Sequence, residues 1–210
     1  MEIKCYFLEP INKERLFLRR YSHVRANDGH LHDSSVIWKD IDWSNDGLSS
    51  CEIELCKDDG ENYPDLSNPW PTKCESCDYE FKEDDVRQRM VRTLYQRQDT
   101  GEILTLREAP IGGMYYATWL DDYEHYPKGP DGRVLNVIVP DGTKGGSHWS
   151  PDSRASNCTM KEDKVHRCWV RHGTPPNITV DKNGNTCSAG AGSIATGNWH
   201  GFLRNGYLVS

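Results

Sequence analysis

Apolar positions along this chain fall in short runs broken by turn residues, a spacing that suits strands and hairpins better than long helices. Residues 2–9 (EIKCYFLE) and 14–21 (ERLFLRRY) alternate apolar and polar side chains in part, and predict two strands around a turn at residues 10–13. Residues 22–50 are polar and without period; they predict a long loop with one short strand near residues 36–38. A loop of that length is usually pinned by docking or by a ligand. Residues 82–91 (KEDDVRQRMV) place acidic residues first and Val86, Met90 and Val91 at helical spacing, which predicts one short helix. Residues 94–98 and 102–107 then predict a β-hairpin around Asp99-Thr100-Gly101. That triplet has the letters of the aspartic-protease motif, but Arg97, Gln98 and Glu102 surround it, so it reads as a turn. The best strand candidates are residues 112–120 and 133–139, separated by the acidic, Pro/Gly-containing loop 121–132. A final hairpin, residues 199–208, turns at Asn205-Gly206. The prediction is a mainly β protein of short antiparallel strands and hairpins with one short helix. It divides into residues 1–110, which hold a zinc-ribbon-like knuckle, and a C-terminal β-rich domain, residues 111–210.

Composition sharpens this picture. Only 36% of the residues are hydrophobic and mean hydropathy is −0.78, so the core is small for 210 residues. Seven Trp and ten Tyr offset part of the shortage, because aromatic rings bury much area each. A small core is commonly supplemented by metals, disulfides or a partner surface. The net charge of −7 argues against broad attraction to nucleic acid or to an anionic membrane. A nucleic-acid-binding zinc ribbon would require that charge to be segregated away from a local basic face, to which Arg15, Arg19 and Arg20 come nearest. No apolar run approaches the length of a spanning helix, and residues 1–5 carry no signal-peptide pattern. The expectation is synthesis in a reducing cytoplasm, where eight cysteines are more often metal ligands or buried thiols than disulfides.

The most specific local motif is Cys51-x4-Cys56 followed by Cys74-x2-Cys77. A Cys-x-x-Cys turn sets two thiolates on one side of a tight loop, which suits two corners of a tetrahedral zinc site. Tyr79 and Phe81 lie just beyond to shield the sulfurs. Four cysteines are the preferred ligand set. Cys51 and Cys56, however, are five apart and face opposite ways on a continuous strand, and His30 or His32 could complete a site with Cys74 and Cys77 instead. A redox dithiol would call for a βαβ setting that is missing here.

Cys158, His166, Cys168, Cys187 and His200 form a second candidate metal set. His166 and Cys168 are two apart and share a face on an extended strand, Cys187 follows the Asn183-Gly184 turn, and His200 comes from the final hairpin. The bland alternative is buried thiols and surface histidines. His148, Ser150 and Asp152 have the letters of a Ser-His-Asp triad, but residues so close in sequence rarely assemble one. Residues 188–193 (SAGAGS) suit a close backbone passage and match no phosphate-binding glycine motif.

Trp169-x2-His172-Gly-Thr-Pro-Pro-Asn-Ile-Thr179, Gly192-Ser-Ile194 and Trp199-His-Gly-Phe-Leu-Arg-Asn-Gly206 resemble a family of uncharacterised proteins of tailed phages and prophages. Arg19-Arg20-Tyr21-Ser22, Trp70-Pro71-x2-Cys74 and Thr105-Leu-Arg-Glu-Ala-Pro110 extend the resemblance to most of the chain. About its last quarter also resembles a small domain encoded beside bacterial ubiquitin-like conjugation enzymes and proposed to be a zinc-containing peptidase. The phage resemblance implies a non-enzymatic accessory component of the virion or its assembly. Its partners would be other virion proteins, with no nucleic acid, membrane or small-molecule cofactor, and it would pass from the host cytoplasm into the particle. The peptidase resemblance implies a hydrolase acting on a protein tail. Ser193 or Cys187 would then be the nucleophile with His200 as base, or Cys168, Cys187 and His200 would hold zinc with one position open. That domain carries Pro-Ser-Ile after its Pro-rich strand, whereas here Gly192 precedes Ser193-Ile194.

Overall fold

The computed structural model describes residues 1–44, 69–160, 162–163, 166–182, 187, 189 and 192–210. Its strands in chain order are β1 (Glu2–Lys4), β2 (Tyr6–Arg25), β3 (Leu31–Asp42), β4 (Val86–Arg97), β5 (Ile103–Thr105), β6 (Gly113–Tyr116), β7 (Leu135–Val139), β8 (Ser147–Trp149), β9 (Val170–Thr174), β10 (Asn177–Asp181), β11 (Ile194–Thr196), β12 (Trp199–Arg204) and β13 (Tyr207–Val209). The only helical element among the described residues is a 3-10 turn, Thr118–Leu120. No helix there is long and apolar enough to cross a membrane. The protein is mainly β, as its patterning predicts. The chain forms two compact units, one of Met1–Glu9 with Tyr95–Ser210, the other of Pro10–Leu94.

In the larger unit, β1-β13-β12-β11 form one antiparallel sheet, and β9 and β10 a separate hairpin. The start of β2 runs parallel to β6, and β6, β7 and β8 continue as an antiparallel meander. Strand periodicity explains why this meander is apolar on both faces. Met114, Leu135, Val137 and Val139 enter a core with Cys5, Ile178, Val180, Ile194, Trp199, Leu203 and Leu208. Tyr115 and Ile138 point the other way, into a second core with Tyr6, Leu8, Tyr95, Leu104 and Val134. The hairpin at Asn205-Gly206 forms as expected: both residues have positive φ, 47° and 77°, the backbone that an Asn-Gly turn supplies most easily. At Gly206 a Cβ would also lie 2.8 Å from the Pro176 carbonyl oxygen.

The smaller unit pairs β2 with β3 in a long antiparallel hairpin, from Lys13↔Asp42 to Arg25↔Leu31, with two register shifts. Three sequence expectations are corrected here. Residues 31–42 are strand, not loop. Their polarity matches the partner strand, because Lys13–Asp42, Arg15–Asp40 and Arg19–Asp33 form cross-strand ion pairs. The turn predicted at residues 10–13 is absent, since β2 runs through Pro10. That residue, which has no N–H to give, lies between the ladder to β6, at Tyr6 and Phe7, and the ladder to β3, which begins at Lys13. The helix predicted at residues 82–91 is instead a turn followed by β4. Val86, Val91, Thr93 and Tyr95 favour strand, and packing against sheet neighbours overrides a local acidic start signal. Asp85 Oδ2 does accept from the Lys82 N–H at 2.7 Å, but the turn stops there. Among the described residues of this unit, Leu16 and Ile41 form a buried cluster flanked by Trp38, Trp43 and Val91, and Leu18 and Leu94 are also fully buried.

Candidate metal centres

Each unit gathers four cysteine and histidine side chains. In the smaller unit, the Asp28-Gly29 turn closes the β2–β3 hairpin, with the Ala26 N–H donating to the His30 carbonyl at 3.0 Å and Gly29 at φ 87°. His30 therefore enters the strand two residues before His32, and side chains two apart share a face. Opposite them, residues 73–80 form a tight knuckle, pinned by the Lys73↔Glu80 bridge and by the Cys74 N–H donating to the Tyr79 carbonyl at 2.9 Å. The Ser76 N–H points at Cys74 Sγ, 3.4 Å away. The Glu75 N–H donates to the Asp33 carbonyl at 3.1 Å and fixes the knuckle to β3.

Cys74 Sγ then lies 3.9 Å from His30 Nε2, and Cys77 Sγ 3.3 Å from His32 Nδ1. All four donor atoms fall within 4.8 Å of one another. Both rings are held from behind. Asp28 Oδ1 accepts from His30 Nδ1 at 2.5 Å, which leaves Nε2 as the free donor, the arrangement by which a carboxylate commonly orients a ligating imidazole. His32 stacks on Tyr79, centroids 4.0 Å apart and planes 6° from parallel, and the Tyr79 hydroxyl donates to Asp85 at 3.1 Å. Burial raises the Cys74 thiol, but the N–H groups and imidazoles aimed at the sulfur outweigh it and bring the pKa down to about 6. His30 is shifted up, first by Cys74 and then by Asp28. The cluster is thus arranged for a thiolate at Cys74 even before a cation is considered.

In the larger unit, Cys158, His166, Cys168 and Cys187 also bring their donor atoms within 4.8 Å of one another. Cys168 Sγ is 3.7 Å from His166 Nε2 and 3.7 Å from Cys187 Sγ, far beyond a disulfide bond. The Met160 N–H points at Cys158 Sγ at 3.4 Å, repeating the Ser76–Cys74 contact. Cys158, His166 and Cys168 are buried. Three cations surround the cluster through the carbonyls of its own segments: Lys182 donates to Cys187 and Ala189, Arg154 to His166 and Met160, and Arg167 to His166. The Ala189 N–H is the main cause that lowers Cys187, to about 6. Burial pushes Cys168 up to about 11.

A comparison with protein-family models, curated proteins and solved structures finds no match. The site therefore rests on its own geometry.

That geometry sorts the sequence candidates. Cys74 and Cys77 come together, and both His30 and His32, rather than one of them, face the pair; Cys51 and Cys56 lie outside the described residues. Cys158, His166, Cys168 and Cys187 assemble, but His200 does not join them. Alternation along β12 buries Trp199, Gly201 and Leu203 and turns His200 outward, opposite Ala195 and against the Phe202 ring. Ser193 accepts at its carbonyl from Trp169 Nε1 at 3.1 Å, and no hydrogen bond joins it to His200 or Cys187 among the described residues. His148 meets the Tyr115 hydroxyl at 2.7 Å, while Asp152 faces Arg171 at 3.3 Å, so the triad letters go to separate partners. The His30-x-His32 pair was the functional feature that spacing understated. Its signal was the Asp28-Gly29 turn directly before it. Each cluster can hold one metal ion.

Proposed function

We propose that the protein is non-enzymatic and zinc-stabilised, with one structural zinc centre in each unit, and that it serves as an accessory component of a phage virion or of its assembly. The observation that carries the zinc assignment is the spacing of donors. With Zn–S near 2.3 Å and Zn–N near 2.0–2.1 Å, a tetrahedron has sulfur–sulfur edges of about 3.8 Å and sulfur–nitrogen edges of about 3.6 Å. The contacts of 3.3 and 3.9 Å in one cluster and 3.7 and 3.7 Å in the other fall around these edges. Thiolate and imidazole donors favour zinc over magnesium or calcium.

Four protein donors per centre leave no corner for water or substrate, which is the pattern of structural rather than catalytic zinc. The charges agree. Two thiolates and two neutral imidazoles balance Zn²⁺, whereas three thiolates and one imidazole leave one negative charge, and Lys182, Arg154 and Arg167 surround that second centre. The virion role rests on the sequence resemblance. The deciding measurement is zinc per chain on protein purified without denaturation. Two zincs are expected, one lost with Cys74→Ser/Cys77→Ser and the other with Cys158→Ser/Cys168→Ser. A chain without zinc would defeat the assignment, and absence of the protein from purified particles would defeat the virion role.

A further inference from the structure

The protein covers many of its aromatic rings with its own cations. Arg133 lies 3.7 Å above the Tyr116 ring centre, Arg97 3.9 Å above Tyr6, Arg204 4.4 Å above Phe202, Arg19 4.7 Å above Tyr21, Arg89 4.8 Å above Trp38, and Arg92 5.1 Å above Phe17. Three rings without such a cation are also exposed. Trp119, Tyr123 and Tyr126 are 53%, 52% and 38% exposed, and among the described residues none of them carries such a cation. They are also the only exposed Phe, Tyr or Trp side chains among those residues.

All three belong to one segment, residues 118–126 (TWLDDYEHY), which has three carboxylates and no Lys or Arg. Its backbone is fixed by successive turns, Leu120 to Ala117, Asp121 to Thr118, Tyr123 to Leu120 and Tyr126 to Tyr123. Asp121 is used in this scaffold, accepting from the Val134 N–H at 3.0 Å, and Leu120 packs on the second core. Asp122 and Glu124 are exposed beside the rings. Trp119 stacks on Tyr115, centroids 6.0 Å apart, and Tyr115 is itself held by His148. The rings are presented on a preformed loop, which lowers the ordering cost of binding.

We infer that this loop binds a basic protein segment. Arg or Lys side chains of the partner lie over Trp119 and Tyr123, as the protein's own cations do elsewhere, and pair with Asp122 and Glu124. The His125 ring packs against Tyr123 and Tyr126, centroids 5.7 and 4.9 Å away, yet all three aromatic rings stay exposed beside carboxylates, which is the chemistry that attracts a cation, and apolar clusters left on a surface mark interaction sites. The inference rests on the reading of this chain as an accessory component of a virion or its assembly. Presence in purified particles tests that reading separately from binding of the peptide.

The test uses the full, metal-loaded chain and a fluorescent ten-residue peptide of alternating Arg and Gly, with an alternating Glu and Gly peptide as comparison, at physiological salt. The Arg peptide is expected to bind and the Glu peptide not to bind. Trp119→Ala/Tyr123→Ala should weaken binding about tenfold. Asp122→Asn/Glu124→Gln, which keeps the rings, should weaken it about threefold and flatten its salt dependence. Unchanged zinc content and unfolding temperature establish that both variants are folded. Binding that survives the ring substitutions would reduce the effect to net charge and overturn the inference. So would absence of binding, saturable binding of an uncharged oligosaccharide in its place, or self-association that Trp119→Ala abolishes.

Discussion

His32→Ala gives the sharpest test of the centre in the smaller unit. The substitution removes one donor, whose Nδ1 lies 3.3 Å from Cys77 Sγ, and also the ring stacked on Tyr79. A bound ligand stabilises by RT ln(1 + [L]/Kd), about 4 kcal/mol when free zinc stands at 1,000 times Kd. That is a large share of the roughly 5–15 kcal/mol that holds a domain together, and it adds to the burial of Leu16, Leu18, Ile41 and Leu94 in the unit concerned. For a domain of this size about 4 kcal/mol corresponds to a fall of roughly 15–30 °C in unfolding temperature. The stack alone is worth about 0.5–1.5 kcal/mol. Calorimetry with and without a chelator, run beside zinc analysis, separates the two. His32→Ala should drop to one tightly held zinc, and chelator should no longer lower the stability of the smaller unit. Tyr79→Leu, which spoils the stack and spares the donor, should keep both zincs. If His32→Ala keeps two zincs and softens only by the value of the stack, His32 is not a ligand. Cys51 and Cys56 would then complete the centre with Cys74 and Cys77.

Other expectations concern the larger unit. Cys168→Ser should release one zinc and raise amide exchange around Cys158 and Cys187 while leaving exchange at His30 and His32 unchanged. Ser193→Ala and His200→Ala, each at a residue outside the clusters, should keep two zincs and change stability by less than about 0.5 kcal/mol. Burial raises the Asp152 carboxyl to about 6, against the opposing pull of Arg171, so the folded state holds that proton more tightly than the unfolded chain does. Its stabilising contribution is full below pH 4 and is lost as pH rises through 6. Asp152→Asn, which cannot ionise, should therefore gain on the wild type between pH 4 and pH 7 by on the order of 3 kcal/mol, read from urea unfolding at both ends of the range.

Short-range chemistry was the most legible part of the sequence. The Asn205-Gly206 turn and the knuckle at Cys74 and Cys77 are decided by a few adjacent residues, and they appear where spacing places them. The apolar runs at residues 112–120 and 133–139 likewise become β6 and β7, although the first ends early in the turn at Thr118. What pattern missed depends on partners distant in sequence. Residues 31–42 look like loop until Arg15, Arg19 and Lys13 are laid beside them. Residues 82–91 look helical because the strands that hold β4 extended cannot be seen locally. The same blindness affected the ligands. His166 and Cys168 share a short segment and were readable together, but His200 qualified by residue type alone, and only the alternation of β12 turns it outward. The meeting of His30 and His32 with Cys74 and Cys77 spans about forty residues, and no local rule reaches that far.

The chain leaves the larger unit after Glu9 and returns at Tyr95, and this route bears on the cost of joining its two ends. Tyr6 and Phe7 must find β6, and Phe7 accepts at its carbonyl from the Gln98 N–H, so both contacts close a loop of more than eighty residues. Closing such a loop in an open chain costs about 4 kcal/mol by the logarithmic rule. If residues 10–94 fold first, most of that loss has already been met within them, and the remaining closure is short. A cation clamped between the β2–β3 hairpin and the knuckle at Cys74 would then do more than stabilise its own unit. By holding the inserted segment folded, it would hasten the joining of β2 to β6 at the far end of the same strand.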